Sequence, residues 1–319
     1  MIKLYQRLSV HCHTVNLLNK LHIALEKRMT PEEVGEMYSH LARHGFIGTN
    51  LSQTGIDGTS HSNTSPTLIS EHERQRLQVE WIKKLHRQQM LANKASPMPF
   101  KRRKLFHSTF IYESEDNKAS KIALVCFTGN EQRMMMPTPT FLQHIDSNRA
   151  DVIFLQTRKG QGYRNGILGF GDDLENGLVK LEELLGSMGH GSVATMGVSA
   201  GGVATILAGL KIGANVVLSV GSTNPDDVRW HPHSDGHGAK KLFEKYCHGT
   251  NRRPDIYLMH GELSQEDAAA NTVISNSIQT KHTFEIKKSN HVVLNHILQQ
   301  GTLAMLLNNT VLSAHTEQV

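Results

Sequence analysis

The sequence predicts an α/β protein: a mainly parallel sheet flanked by helices, with a helical extension in front of it. Three observations carry this. From about residue 105 onward, short apolar runs alternate with segments of helical periodicity, the trace that a parallel sheet covered by helices leaves in a chain. Before that point helix-start signals appear and strand-like runs do not. Third, MGVSAGGVAT (196–205) leads from a strand-like run through a glycine-flanked serine into a helix of small residues. A length of 319 residues suits one large domain, or a domain of about 200 residues with an appendage. With 38% hydrophobic, 20% charged and 6% aromatic residues, the composition is that of a soluble globular protein.

The opening MIKLYQRLSVHCHTVNLL is interrupted by Lys, Arg and His, so it lacks the apolar stretch of a secretory signal. No run approaches the roughly 20 apolar residues of a membrane span, so none is expected. At 30–33, TPEE supplies Thr30 as N-cap, Pro31 at the first helical position and Glu33 to close a capping box, and the helix is expected to stop at Gly45. The stretch near 45–67, rich in Gly, Ser and Thr, has no periodicity and reads as a flexible loop. A second capping box, SEHE at 70–73, opens a longer helix with Leu77, Trp81 and Leu85 at four-residue spacing and Ile82 beside them, a stripe that requires cover. KRRK at 101–104 reads as a solvated connection. The domains predicted are therefore a helical extension over 1–104 and an α/β domain over 105–319.

Within that domain the strand candidates are KLFHSTFIY, KIALVCF, DVIFLQ, SVATMGV, ANVVLSV, DIYLMH and HTFEIKK. Leu174, Leu178, Leu181 and Leu185 form a stripe that would lie on the sheet. Sheets of this kind bind ligands at the carboxyl ends of their strands, which directs attention to the loops there. Gly197-Val198-Ser199-Ala200-Gly201 occupies such a loop. An abrupt strand-to-helix turn strains its middle residue, and glycines two positions to either side remove side chains that would collide. Ser199 is then presented at a helix N-terminus, where amide donors favour developing negative charge.

This segment resembles the nucleophile elbow of the α/β-hydrolase superfamily, and the resemblance extends over roughly residues 105–310. QTRKGQG (156–162) is similar to the family's D-x-R-G-x-G loop, with Gln156 where the aspartate usually sits. GDDLENGLVKLEELL resembles the helix leading to the elbow strand, and Gly201-Gly202 is also typical. The resemblance implies an α/β-hydrolase fold and a serine hydrolase acting on a small-molecule ester or thioester without a cofactor. A serine needs a base to take its proton, and the family places a histidine after the last strand. His291 fits, whereas His296 lies within an apolar helical pattern as a surface residue. The third member should be a carboxylate that fixes the imidazole tautomer. The position the family favours after DIYLMHG is Ser264; Asp267 is the choice here, with Glu262 and Glu266 nearby and Asp226 and Asp227 at the family's other location. The expected oxyanion donors are the backbone amides of Ala200 and of Asn130 in Thr128-Gly129-Asn130. Met134, Met135 and Met136 serve as apolar walls or as ordinary core.

An acyltransferase would use the same residues. A silent hydrolase-fold module would instead recruit a protein partner through the N-terminal helices and their Leu77/Trp81/Leu85 face. A net charge of +5 is modest for this length and gives no basis for nucleic-acid binding. GQGYRNG has glycines but not dinucleotide spacing, and the histidines of WHPHSDGHG (230–238) read as a capping loop rather than a metal site. Three widely spaced cysteines argue against a disulfide framework and for a reducing, cytoplasmic setting.

Overall fold

The computed structural model describes residues 1–44, 68–90, 99–106, 109–114, 117–158, 162–226, 238–249 and 253–313. Two compact units emerge: Met1–Met90 with Thr138–Leu142, and Leu91–Pro137 with Gln143–Val319.

The first unit holds α1 (Ile2–Ser9), α2 (Val15–Glu26), α3 (Pro31–Arg43), α4 (Glu71–Met90) and the short α5 (Thr138–Leu142), which the chain contributes from beyond its third strand. The capping box at α3 is complete: Glu33 N–H donates to Thr30 Oγ1 at 3.3 Å, and Thr30 N–H donates to Glu33 Oε2 at 2.9 Å. Gly45 and the loop to residue 67 lie outside the described residues. At α4 only half of the expected box forms. Glu73 N–H donates to Ser70 Oγ at 3.1 Å, while the Glu73 carboxylate is held by Arg76 at 2.6 Å. Trp81, Ile82 and Leu85 are buried in one core with Leu18, Leu25, Met29, Val34 and Met37. The stripe read from the sequence as a face for a partner is thus covered from inside its own unit. Trp81 stacks on His22 at 4.1 Å and donates its indole N–H to Glu26 at 2.8 Å, which satisfies its one polar atom.

The second unit is built on β1 (Lys101–Phe106), β2 (Thr109–Glu113), β3 (Ile122–Phe127), β4 (Ala150–Leu155), β5 (Ser192–Val198), β6 (Val216–Val220), β7 (Asp255–Gly261) and β8 (His282–Ile286). Every residue of β3, β4 and β6 is buried, as expected of parallel strands covered on both faces. The strand order is β1-β2-β4-β3-β5-β6-β7-β8, and β2 alone runs against the rest. Two expectations are corrected here. KLFHSTFIY is not one strand but contributes to two, and KRRK is no linker, since it forms most of β1. An edge strand needs little apolar content, and its charges discourage pairing with other chains, which is why this strand reads as polar connection.

The covering helices are α6 (Leu174–Met188), α7 (Gly202–Ile212), α8 (Gly238–Gly249), α9 (Gln265–Ser277), α10 (Val293–Gln299) and α11 (Leu303–Asn309). Leu174, Leu178, Leu181 and Leu185 bury the α6 stripe. No helix among the described residues is long and apolar enough to cross a membrane. After β3 the chain crosses to β4 on one side, then returns to β5 on the other. The carboxyl ends of β3 and β5 therefore flank a topological switch point, where such sheets leave a crevice.

Candidate active site

Ser199 stands at the carboxyl end of β5, first in a short 3-10 turn (Ser199–Gly201) that runs directly into α7. Its φ is 51°, the left-handed region that non-glycine residues rarely occupy. Packing imposes this conformation. A Cβ on Gly197 would lie 2.3 Å from the Gly201 carbonyl oxygen, and one on Gly201 would lie 2.3 Å from that of Phe127. Both glycines of the motif are required by the closeness of the turn to its neighbours. The Ser199 side chain is half-buried, and α7 behind it is buried from Gly202 to Leu210.

His291 follows β8 and precedes α10. Its Nε2 is 3.0 Å from Ser199 Oγ, and its Nδ1 is 2.9 and 3.0 Å from the two oxygens of Asp267. An ionised carboxylate only accepts, so Nδ1 carries the hydrogen and Nε2 of the neutral ring accepts from the serine hydroxyl. The Asp267 hydrogen bond raises the His291 pKa above its ordinary value, against a smaller opposing effect of burial; the charge of Glu266 adds to the rise. Asp267 sits in the first turn of α9 and is 7% exposed.

The other acids considered are engaged or placed elsewhere. Glu262 is exposed and accepts from Lys287 Nζ at 3.0 Å and from the Lys288 N–H at 2.8 Å. Glu266 and Asp226 are exposed, and Asp227 lies outside the described residues. His296 accepts from Gln300 Nε2 at 2.9 Å on the surface of α10.

On the β3 side, a Cβ on Gly129 would lie 3.4 Å from Ser199 Cβ, an ordinary contact distance that places this loop beside the serine. The Gly129 N–H is used by the Arg133 carbonyl at 3.2 Å, whereas the exposed Asn130 follows it in the turn. Ala200 is buried in the first turn after β5, where helical N–H groups lack partners from their own helix. Met134 and Met136 are buried and Met135 half-buried, which fits core packing. Gln156, in the aspartate's place, accepts from the Leu168 N–H through its backbone carbonyl at 2.8 Å.

Sequence reasoning missed two supports. Gly221, at the end of β6 with φ 55°, lies under the His–Asp pair: a Cβ there would be 3.3 Å from both Asp267 Oδ2 and His291 Nδ1. Its place directly after an apolar strand was the available signal. Tyr163, fully buried at φ 69°, donates its hydroxyl to the Leu155 carbonyl at 2.7 Å and its N–H to Thr157 Oγ1 at 3.2 Å, fastening the loop after β4.

A single reversed strand next to the edge, a switch point between β3 and β5, and a serine elbow leading straight into the buried α7 together define the architecture. The chain has the α/β-hydrolase fold. No protein-family model matches the chain, and no curated protein matches it. Among solved structures, S-formylglutathione hydrolase from Staphylococcus aureus aligns over 67% of this chain and 98% of its own, with 13% identity and a TM-score of 0.48. A 2,6-dihydroxy-pseudo-oxynicotine hydrolase aligns over 76% and 74%, with 12% identity and a TM-score of 0.46. An esterase from Pyrobaculum calidifontis aligns over 73% and 90%, with 9% identity and a TM-score of 0.46. Likeness at this level assigns no activity. Among the described residues no cluster of His, Cys, Asp or Glu has the geometry to hold a metal ion, and the WHPHSDGHG histidines fall outside them.

Proposed function

We propose that this chain is a serine hydrolase that cleaves a carboxylic ester or thioester through an acyl-enzyme on Ser199. The observation that supports the reading is the continuous hydrogen-bonded path from Asp267 through His291 to Ser199, ending on a half-buried hydroxyl at a strained backbone. In this mechanism Nε2 of His291 takes the hydroxyl proton as Ser199 Oγ attacks the acyl carbon. The amides of Ala200 and Asn130 stabilise the oxyanion that forms. Asp267 keeps the hydrogen on Nδ1 and stabilises the imidazolium. His291 then gives its proton to the leaving alcohol or thiol, and water repeats the sequence to release the acid.

The test is labelling with a fluorophosphonate, followed by peptide mapping and product analysis with and without an added acceptor alcohol. The adduct is expected on Ser199, and the free acid as the main product. An unlabelled protein, or an adduct on another residue, overturns the reading. Predominant transfer to the alcohol would make the chain an acyltransferase.

A further inference from the structure

The loop after β4 leads to a feature with no part in the proposed hydrolysis. A cavity of about 650 Å³ is lined by β1 through Lys104, by this loop through Arg158, Asn165, Gly166 and the stretch 168–172, and by α6 through Lys180. Three separate elements thus each contribute a cation, against a single carboxylate, Asp172. None of the three cations has an ion-pair or hydrogen-bond partner among the described residues. Several other cations of the same unit are paired: Arg103 and Lys118 with Glu113, Lys211 with Glu182, Lys245 with Glu175. The contrast is sharpest at β1, where Arg103 is neutralised and the next residue, Lys104, is left to the cavity.

The walls suit a ligand larger than an ion. Leu168 supplies apolar surface, and Phe170, which also borders the cavity, is buried in the core with its ring in edge contact with Phe106 at 5.1 Å. Gly166 and Gly169, with φ of 89° and 90°, bring backbone without side chains to the rim. The volume falls in the range of about 300–1,000 Å³ typical of small-molecule sites. An excess of positive charge suits an organic phosphate, whose terminal phosphate group alone carries about −1.5 to −2 at neutral pH. Arg and Lys side chains are the usual donors to phosphate oxygens. We propose that this cavity binds a small organic phosphate of nucleoside-diphosphate size, held by Lys104, Arg158 and Lys180.

Isothermal titration of the full chain with ADP, inorganic pyrophosphate and adenosine tests this. ADP binds and adenosine does not, and added salt weakens the binding. Lys104→Gln and Lys180→Gln each reduce ADP affinity about tenfold, as loss of a charge-assisted hydrogen bond requires. Both side chains are exposed, so thermal melting of these variants should match the parent. Arg158→Gln, also at an exposed position, is the second check. Pyrophosphate binding more tightly than ADP would make the free anion the ligand and overturn the organic-phosphate assignment. Absence of binding by ADP and pyrophosphate at millimolar concentration, affinity unmoved by the three substitutions, or equal binding of adenosine would each overturn the proposal. Ser199→Ala should bind ADP as well as the parent; loss of binding there would put ADP at the serine instead and refute this site.

Discussion

Ser199 holds a backbone conformation that costs a non-glycine residue about 1–3 kcal/mol, and it is retained because its neighbours leave no alternative. Gly201→Ala tests that packing. A methyl group 2.3 Å from the Phe127 carbonyl oxygen cannot be accommodated without moving β3 or the turn. Urea unfolding should register a loss of about 1–3 kcal/mol, and esterase activity should fall with it. The His–Asp pair makes a second prediction. Because the Asp267 hydrogen bond raises the His291 pKa, and the base must be neutral to act, kcat/KM should fall as pH drops through a value above the ordinary histidine pKa of about 6.5. Asp267→Asn should lower kcat by about 10³–10⁴ and move this acid limb to lower pH. An acid limb that stays in place would show that another group controls it. Ser199 and His291 were legible because turn chemistry and position after a strand are local properties. The meeting of Asp267 with His291 was less so: several acids crowd that stretch, and only the first turn of α9 aims one of them inward while Lys287 holds Glu262 outside.

At the scale of elements, what could be read depended on burial. β3, β4 and β6 were plain because strands covered on both faces must be apolar throughout. β1 was hidden because an edge strand is free to be basic, and its pairing with β2 depends on register that composition does not record. α1 and α2 carry weaker start signals: α1 has no side-chain cap, and α2 has only Thr14, which accepts from the Leu17 N–H at 3.2 Å. The Trp81 stripe was legible as apolar, but its cover comes from three other stretches of chain whose folding no local pattern announces. Trp81→Ala should therefore destabilise the helical unit by about 3–5 kcal/mol, seen as loss of amide protection in α2, α3 and α4 by hydrogen exchange. Protection unchanged in those helices would mean that the stack of Trp81 on His22 is not what holds them.

For the α/β unit as a whole, the two ends of the sheet have different tasks. The carboxyl ends of β3 and β5 meet at the switch point and carry the candidate site; that these two loops face the site was legible from the sequence, but their adjacency was not, because strand order is a property of the folded chain. At the amino ends a fully buried Lys121 pairs with Asp151, which also meets His190 Nε2 at 3.0 Å. Burial alone would raise the Asp151 pKa, but the hydrogen bonds from His190 and Lys121 outweigh it and hold the carboxyl below its usual range. A carboxyl depressed in the folded state contributes stability above its unfolded pKa of about 3.9, and this is lost as pH falls through the lower folded value. Lys121→Met should destabilise the unit by about 3–5 kcal/mol at pH 7, with a smaller penalty once the medium is acid enough to protonate Asp151; urea titrations at the two pH values measure both. Equal penalties at both would contradict the assignment.

Turnover of a p-nitrophenyl ester by Ser199→Ala tests the central claim most directly. With the nucleophile removed and the fold intact, the rate should drop by about four to six orders of magnitude. A folded Ser199→Ala protein that hydrolyses the ester at the parent's rate would contradict the account.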